Sequence, residues 1–120
     1  MTQTAPRVIA LMDDLFFQMK VFETAKHIGV EFKVATSIDA LLGLLDPLPQ
    51  LVIVDLNSRS QPIQAIEQVR SAQPHLPVIG FLSHVQRELA VQAQNAGCSE
   101  VMPRSAFTQR LAEILTAARS

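Results

Sequence analysis

The chain has little of several residue types that mark particular classes of protein. Its 120 residues include one cysteine, Cys98, so no disulfide can form within the chain. The N-terminus lacks the long apolar segment of a secretory signal. The longest apolar runs, such as 8–12 and 51–54, fall far short of the roughly 20 residues needed to cross a bilayer. We therefore expect a cytoplasmic protein with no membrane partner.

The charge balance argues against nucleic acids as partners. Ten Lys and Arg residues face eleven Asp and Glu residues, which gives a net charge of -1, and the basic residues are scattered. No broad positive field is available for a phosphate backbone, so direct DNA or RNA binding is not expected. The length and the 48% hydrophobic content predict one domain over 1–120, with a core from about 7 to 118 and no second module.

What the chain does contain is a fivefold alternation of strand-like apolar runs and segments of helical period. This pattern is typical of βα units around a parallel sheet. The predicted strands are 8–12, 31–35, 51–55, 77–82 and 100–102. The predicted helices are 15–27, a segment capped by Ser37 that carries Leu41, Leu42 and Leu45, then 62–72, 86–96 and a last helix capped by Ser105. Gly29 and Gly97 are predicted helix stops.

Asp55 is the most informative residue. It follows the unbroken apolar run 51–54, which indicates a strand buried on both faces. The carboxyl ends of parallel strands open onto the edge where ligands bind, so Asp55 is the candidate reactive group. The alternative is that Asp55 merely forms a turn.

Polar residues also follow the other strands. Asp13 and Asp14 follow the first, Ser83 the fourth and Arg104 the fifth. If the five strands are parallel, these side chains share one edge with Asp55, and the sequence therefore predicts one polar cluster.

In the order and spacing of these segments the chain resembles the receiver domain of bacterial two-component response regulators, over about residues 7–118. The likeness is carried by 8–14, by 51–55, by 76–79 and by Ala96-Gly97 shortly before the last strand. The resemblance implies a flavodoxin-like α/β fold, (βα)5 in three layers, with a five-stranded parallel sheet in the order 2-1-3-4-5. It also implies transfer of phosphate from a histidine kinase or phosphotransfer protein.

The resemblance further implies roles for the polar cluster. Asp55 is then the phosphoacceptor, and Arg104 contacts phosphate in place of the family's lysine. Mg²⁺ or Mn²⁺ is held by Asp13 and Asp14, by Asp55 and by the backbone carbonyl of Asn57, oxygen ligands of the kind that Mg²⁺ prefers. Which of Asp13 and Asp14 is the main ligand stays open. No catalysis beyond self-phosphorylation and dephosphorylation is implied.

The chain departs from the receiver pattern where that family switches. The usual strand-four Thr or Ser falls on Leu82, and Ser83, a weak substitute, is one residue later and would point the other way. The strand-five aromatic residue falls on Val101, and the chain has no Tyr. The family's Lys-Pro becomes Pro103-Arg104, and arginine is bulkier and planar, so this exchange is not neutral. The loop after the acceptor lacks the family's usual proline and glycine, since its single proline, Pro62, belongs to the first turn of the next predicted helix.

Structural roles compete with these functional ones. Asp13 and Asp14 could simply cap the first helix, Ser83 could start the next one, and Arg104 could be a solvated cation. Cys98 is expected to pack as a small apolar group. The histidines at 27, 75 and 84 lack metal-ligand spacing and are assigned no catalysis.

Two functions follow, with a third held below them. The first is a stand-alone receiver that signals through its surface, and the second is a phosphorylation-independent pseudo-receiver that serves as a binding or dimerisation module. By the resemblance, a partner or second copy would dock on helix 4, strand 5 and helix 5, around Arg87, Gln94, Gln109 and Arg110. A nucleotide or flavin enzyme is disfavoured because its Gly-rich turn, its phosphate loop and a second aspartate at Asn57 are absent.

Overall fold

Five parallel strands and five helices alternate in the computed structural model, which describes residues 6–83 and 86–119. The strands are β1 (Arg7–Leu11), β2 (Glu31–Ala35), β3 (Leu51–Asp55), β4 (Val78–Leu82) and β5 (Glu100–Pro103). The helices are α1 (Leu15–Ile28), α2 (Ile38–Gly43), α3 (Pro62–Ala72), α4 (Arg87–Ala96) and α5 (Arg104–Arg119). None of the helices within these ranges is long and apolar enough to span a membrane.

The sheet has the order β2-β1-β3-β4-β5, and every pairing is parallel. The predicted flavodoxin-like (βα)5 fold is therefore confirmed. β3 is the central strand, and at its end Asp55 pairs with Phe81 of β4, which in turn pairs with Met102 of β5. The ends of β3, β4 and β5 are thus in register at one edge, which lets the loops that follow them meet.

Apolar residues fill both faces of the sheet. Successive strand residues point to opposite faces, so β1 buries Val8 and Ala10 on one side and Ile9 and Leu11 on the other. The first side is covered by α1 and α5, and the second by α2, α3 and α4. The stripe predicted for the last helix lies in the first core, as the burial of Phe107, Leu111, Ile114 and Leu115 shows.

The helix ends follow local chemistry at several predicted positions. Gly29 has a φ of 89°, a left-handed conformation that glycine adopts without strain, and it ends α1. The Ser37 hydroxyl oxygen accepts a hydrogen bond from the Ala40 N–H at 3.1 Å and so caps α2. Gly97, with a φ of 129°, ends α4. These three predictions are confirmed.

Two predicted details are wrong. Ser105 does not cap the last helix, because β5 extends to Pro103 and α5 begins at Arg104 with no loop between them. Leu45 is not in α2, which ends at Gly43, and the carbonyl group of Leu44 is turned towards Arg7 instead of continuing the helix. The position of His84 lies outside the described residues.

Arg7 is a buried cation that joins three segments near the start of the sheet. Its Nη1 donates hydrogen bonds to the carbonyl oxygens of Leu44 and Pro47, the latter at 2.6 Å, and its Nε pairs with Glu31 at 3.3 Å. Hydrogen bonds from a charged donor are stronger than neutral ones, and the acceptors it serves are partly shielded from water. Arg7 therefore fixes the path of the chain between α2 and β3.

Replacing Arg7 by Met should lower the free energy of unfolding by about 2–4 kcal/mol, because two backbone carbonyl groups and Glu31 lose a charged donor. Urea denaturation followed by circular dichroism measures this. Arg110→Met is the matched control, because Arg110 forms its ion pairs with Glu100 and Glu113 at the exposed surface, where such pairs contribute little. Equal effects of the two substitutions would contradict the structural role given to Arg7.

Candidate functional site

Asp55 lies at the carboxyl end of the central strand and is only 6% exposed. Its Oδ1 accepts a hydrogen bond from the backbone N–H of Asn57 at 2.9 Å. β3 places it there because residues 51–54 are buried in the two cores and fix the position of the strand. The hydrogen bond from Asn57 orients the carboxylate at this position.

Several charges act on Asp55. Burial raises the pKa of the Asp55 carboxyl above its usual range, and the negative charges of Asp13 and Asp14 raise it further. The Asn57 N–H and the positive charge of Arg104 oppose this rise in pKa. The structure therefore brings together Asp13, Asp14, Asp55 and Arg104, the residues that follow strands one, three and five in the sequence.

Asp14 is engaged twice. Its Oδ1 accepts the Phe17 N–H at 3.1 Å as the N-cap of α1, and its Oδ2 pairs with Arg104 Nη2 at 2.9 Å. The N–H of Phe17 and the Arg104 guanidinium hold the pKa of Asp14 below its ordinary value. The capping role considered for the acidic pair is thus performed by Asp14. Asp13 does something else: its Oδ2 accepts the Arg59 N–H at 3.1 Å, which ties β1 to the loop after β3.

Arg104 is seated on aromatic rings. Its guanidinium carbon lies 4.3 Å from the ring centroid of Phe17 and 5.7 Å from that of Phe81. Phe81 and Phe107 stack beneath with centroids 4.9 Å apart. A cation over an aromatic face is attracted to it, more strongly where water is excluded. Together with the Asp14 ion pair, this seat fixes the guanidinium beside the carboxylates and rules out a freely solvated Arg104.

The buried Nε of Arg104 has no hydrogen-bond partner within the described part of the chain. Such a donor is rare in folded proteins, because an unpaired buried polar group carries a desolvation cost. The guanidinium thus offers a donor that its present contacts leave unused.

Asn57 links three segments at this edge. Beyond its backbone contact with Asp55, its side-chain Oδ1 accepts the Ser83 N–H at 2.7 Å, and its Nδ2 donates to Gln86 Oε1 at 2.8 Å. The loops after β3 and β4 are therefore joined next to the acidic cluster. Ser83 enters this network through its backbone amide.

Leu82 occupies the end of β4 and is buried. It pairs with Pro103 at the end of β5, and its side chain belongs to the core on the α2, α3 and α4 face. Val101 packs partly buried against that same core. Apolar side chains therefore occupy two of the positions where the sequence departs from the receiver pattern, Leu82 at the end of β4 and Val101 within β5. Cys98 packs against this core as predicted, and burial raises the pKa of its thiol to about 11.

The carboxylates of Asp13, Asp14 and Asp55 are not positioned to coordinate one metal ion together. Within 6–83 and 86–119, no group of three or more His, Cys, Asp and Glu side chains is placed to hold a metal ion. Asp14 faces Arg104, and one oxygen of Asp13 faces the Arg59 amide. By chemistry the carboxylates suit a hard divalent cation, whose preferred ligands are oxygens. Both oxygens of Asp14 already have a partner, Oδ1 the Phe17 N–H and Oδ2 Arg104, so a bound cation would compete with Arg104 for this carboxylate.

Sequence reasoning missed three parts of this site. Phe17 and Phe81 are apolar residues at core spacing, so nothing in the sequence marks them as the seat of a cation. Asn57 was expected to contribute only its backbone carbonyl group, and the contacts of its side chain with Ser83 and Gln86 were not predicted. The Arg59 amide lies in a loop whose conformation the sequence does not determine. The one feature of the sequence that indicated an unusual setting was Arg104 itself, an arginine where receiver domains usually have a lysine.

No model of a known protein family matches the sequence, and no curated protein matches it. Solved structures do. A putative response regulator from Chloroflexus aurantiacus superimposes with a TM-score of 0.82 at 16% identity, over 96% of this chain and 98% of that one. The receiver domain of NtrX from Brucella abortus gives 0.78 at 23% identity, over 92% and 96%.

Longer proteins also contain the same unit. In the structure of Brucella abortus NtrX in complex with ADP, the match has a TM-score of 0.80 and 23% identity and covers 96% of this chain, but this chain spans only 27% of that one. At such identities the likeness is one of fold. The chain has the fold of the receiver domains of two-component response regulators.

Proposed function

We propose that this chain is a phosphoacceptor of a two-component phosphorelay, with Asp55 as the residue that takes the phosphoryl group. The observation that carries the proposal is the buried Asp55 carboxylate at the carboxyl edge of a receiver fold, with two further carboxylates and a guanidinium acting on it. The donor is a histidine kinase or a phosphotransfer protein. The output is a protein–protein contact, and we propose that it is made in the cytoplasm.

The chemistry is a transfer between two nucleophiles. An Asp55 oxygen forms a bond to phosphorus while the bond from phosphorus to the donor imidazole nitrogen breaks. The electron pair of the broken bond returns to that nitrogen, and the donor leaves as a neutral histidine because its other ring nitrogen carries a proton. The Asn57 N–H holds Oδ1 of Asp55 and so orients the other oxygen for attack. Burial excludes water from the carboxylate, which strengthens its electrostatic interactions with the charged groups around it.

Mg²⁺ or Mn²⁺ is the proposed cofactor. Asp13, Asp14 and Asp55, with the backbone carbonyl of Asn57, are the oxygen ligands that the chain offers. When bound, the ion offsets the charge of the phosphoryl oxygens and of the carboxylates. Support for this comes from the negative charges of Asp13 and Asp14, which already raise the pKa of Asp55 and would favour a cation nearby.

Arg104 is the proposed phosphate contact. Its guanidinium can grip two oxygens at once, its Nη2 lies beside Asp14, and its buried Nε has no hydrogen-bond partner among the described residues. Asp14, which now pairs with Arg104, would help to hold the metal ion, and a guanidinium released from Asp14 would be free to contact the phosphoryl oxygens. Ser83 stays a weak candidate for the role of the missing strand-four hydroxyl, since Leu82 occupies the end of β4.

A second function is favoured by specific observations. Leu82 is apolar where receivers use a hydroxyl, Val101 replaces the switching aromatic residue, and Arg104 already neutralises Asp14. These features suit a pseudo-receiver that binds partners without phosphorylation. In either case we propose no metabolic reaction. The face formed by α4, β5 and α5, around Arg87, Gln94, Gln109 and Arg110, is the proposed contact surface for downstream partners.

Incubating the protein with acetyl phosphate and Mg²⁺ should add the mass of one phosphoryl group, measured on the intact protein. Asp55→Asn, which keeps an acceptor for the Asn57 N–H, should abolish the adduct, and so should a chelator. A folded wild-type protein that forms no adduct with acetyl phosphate or with its own kinase would favour the pseudo-receiver. An adduct that persists in Asp55→Asn would place the acceptor elsewhere.

Arg104→Gln should tighten Mg²⁺ binding about two- to fivefold, because an ion pair of up to about 1 kcal/mol no longer competes for Asp14. Isothermal titration calorimetry with Mg²⁺ measures this without phosphorylation. The yield of the acetyl phosphate adduct should fall in the same variant, since phosphate loses its cationic contact. Arg110→Gln, on the outer side of α5, should change neither quantity. An unchanged or weaker Mg²⁺ affinity in Arg104→Gln would contradict this competition for Asp14.

The carboxyl groups of Asp55 and Asp14 should have opposite effects on the pH dependence of stability. The pKa of Asp55 is raised on folding, so its favourable contribution exists below the unfolded value of about 3.9 and is lost as the pH rises through the folded value. Asp55→Asn should therefore stabilise the protein at pH 7, by about 1 kcal/mol or more, and much less at pH 4.

Asp14→Asn is the matched comparison. The pKa of Asp14 is lowered on folding, so its contribution exists above about 3.9 and is lost as the pH falls through the folded value. This variant should destabilise the protein at pH 7, by up to about 1 kcal/mol because the ion pair is part-exposed, and the loss should fade in acid. Urea denaturation at a series of pH values measures both variants, and a shared sign at pH 7 would refute the electrostatic description of the site.

A further inference from the structure

The outer side of α1 exposes four large apolar side chains next to one another. Leu15, Phe16, Met19 and Phe22 are between 55% and 87% exposed, with Phe16 the most exposed. Leu15, Met19 and Phe22 are spaced by four and three residues, so they form one stripe along the first two turns, and Phe16 flanks it. We call these four residues the α1 patch. Isolated exposed apolar residues are ordinary, but a contiguous group is typical of a contact surface.

A groove lies beside the patch, between α1 and the edge strand β2. Its volume is about 350 Å³, and its walls are mainly apolar: Leu15, Met19 and Phe22 on the helix, with Phe32 and Val34 on the strand. The same face thus carries a protruding ring, Phe16, and a hollow large enough to receive such a ring. The exposed strand residues Glu31 and Lys33 are charged, which disfavours the addition of another strand at this edge.

A surface with both a knob and a hollow can be complementary to itself. In a two-fold interface the same patch of each copy meets the other, so each Phe16 could enter the groove of the partner copy. The four side chains expose on the order of 500 Å², and a standard interface buries roughly 800 Å² per partner. The polar residues around the patch, Gln18 and Glu23 at the groove and Lys26 one turn further on, supply the remaining rim.

We propose that the α1 patch is the interface of a homodimer, with two α1 helices packed against each other about a two-fold axis. The surface expected from the family resemblance is less apolar: among the described exposed large apolar side chains, only Val91 of α4 lies on the α4, β5 and α5 face. The charged residues Arg87, Glu100 and Arg110 dominate that face. The test of this dimer uses the unphosphorylated protein, so its result does not depend on whether Asp55 accepts phosphate.

The test is the mass of the unphosphorylated protein in solution, measured by sedimentation equilibrium across a wide range of concentrations. The wild type should show a monomer–dimer equilibrium. Phe16→Glu and Met19→Glu should each raise the dissociation constant at least tenfold, since every substitution acts twice in a two-fold interface and places a charge in its apolar centre. Val91→Glu is the matched control on α4 and should leave the constant unchanged.

The outcomes separate cleanly, because all three substituted side chains are more than half exposed and circular dichroism can verify that each variant is folded. A wild type that stays monomeric at every concentration would overturn the proposal and leave the patch to a different protein. A dimer that Val91→Glu dissociates, while Phe16→Glu does not, would overturn it in favour of the α4, β5 and α5 face. Failure to accept phosphate would not affect this test.

Discussion

The burial of one carboxylate at the end of the central strand is the constraint to which the rest of the site responds. Asp55 is held among apolar strands on both sides, so its charge must be offset locally or suppressed by protonation. The Asn57 N–H and the Arg104 guanidinium stabilise the negative charge of Asp55, whereas the negative charges of Asp13 and Asp14 destabilise it. The stabilising and destabilising effects on the Asp55 charge oppose each other, so a further cation or a proton bound at this edge of the sheet would change which of them is larger.

Arg104 connects that balance to the core. Its guanidinium rests on Phe17 of α1 and near Phe81 of β4, and both rings belong to the core that α1 and α5 cover. A lysine could not spread over a ring and pair with Asp14 in the same way, because its charge is compact and more strongly hydrated. The replacement of lysine by arginine is thus matched by aromatic residues at 17 and 81. Moving the guanidinium away from Asp14 would uncover these rings, so a change at the acidic edge would alter the packing of α1.

The sequence predicted the fold well because hydrophobic period and strand order are set by many residues together. The bounds of β2, β3 and α3 agree with the prediction to the residue, and Gly29 and Ser37 end and begin helices as local chemistry requires. The sequence also predicted that Asp13, Asp14, Asp55 and Arg104 lie close together, because the carboxyl ends of parallel strands share one edge of the sheet. What the sequence could not predict depends on tertiary geometry, as with the aromatic seat of Arg104 and the bridge from Asn57 to Ser83.

The α1 helix joins these features in one element. Its N-cap is Asp14, its inner face supplies Phe17 under Arg104, and its outer face carries the exposed patch from Leu15 to Phe22. An N-cap fixes where a helix begins and how it leaves the sheet, so the ion pair that holds Asp14 also bears on the orientation of the patch. Any change that draws Asp14 from Arg104 acts at the first turn of this helix. A receiver fold without its hydroxyl and aromatic switch thus still has a physical connection between its acidic edge and a surface that can bind another chain.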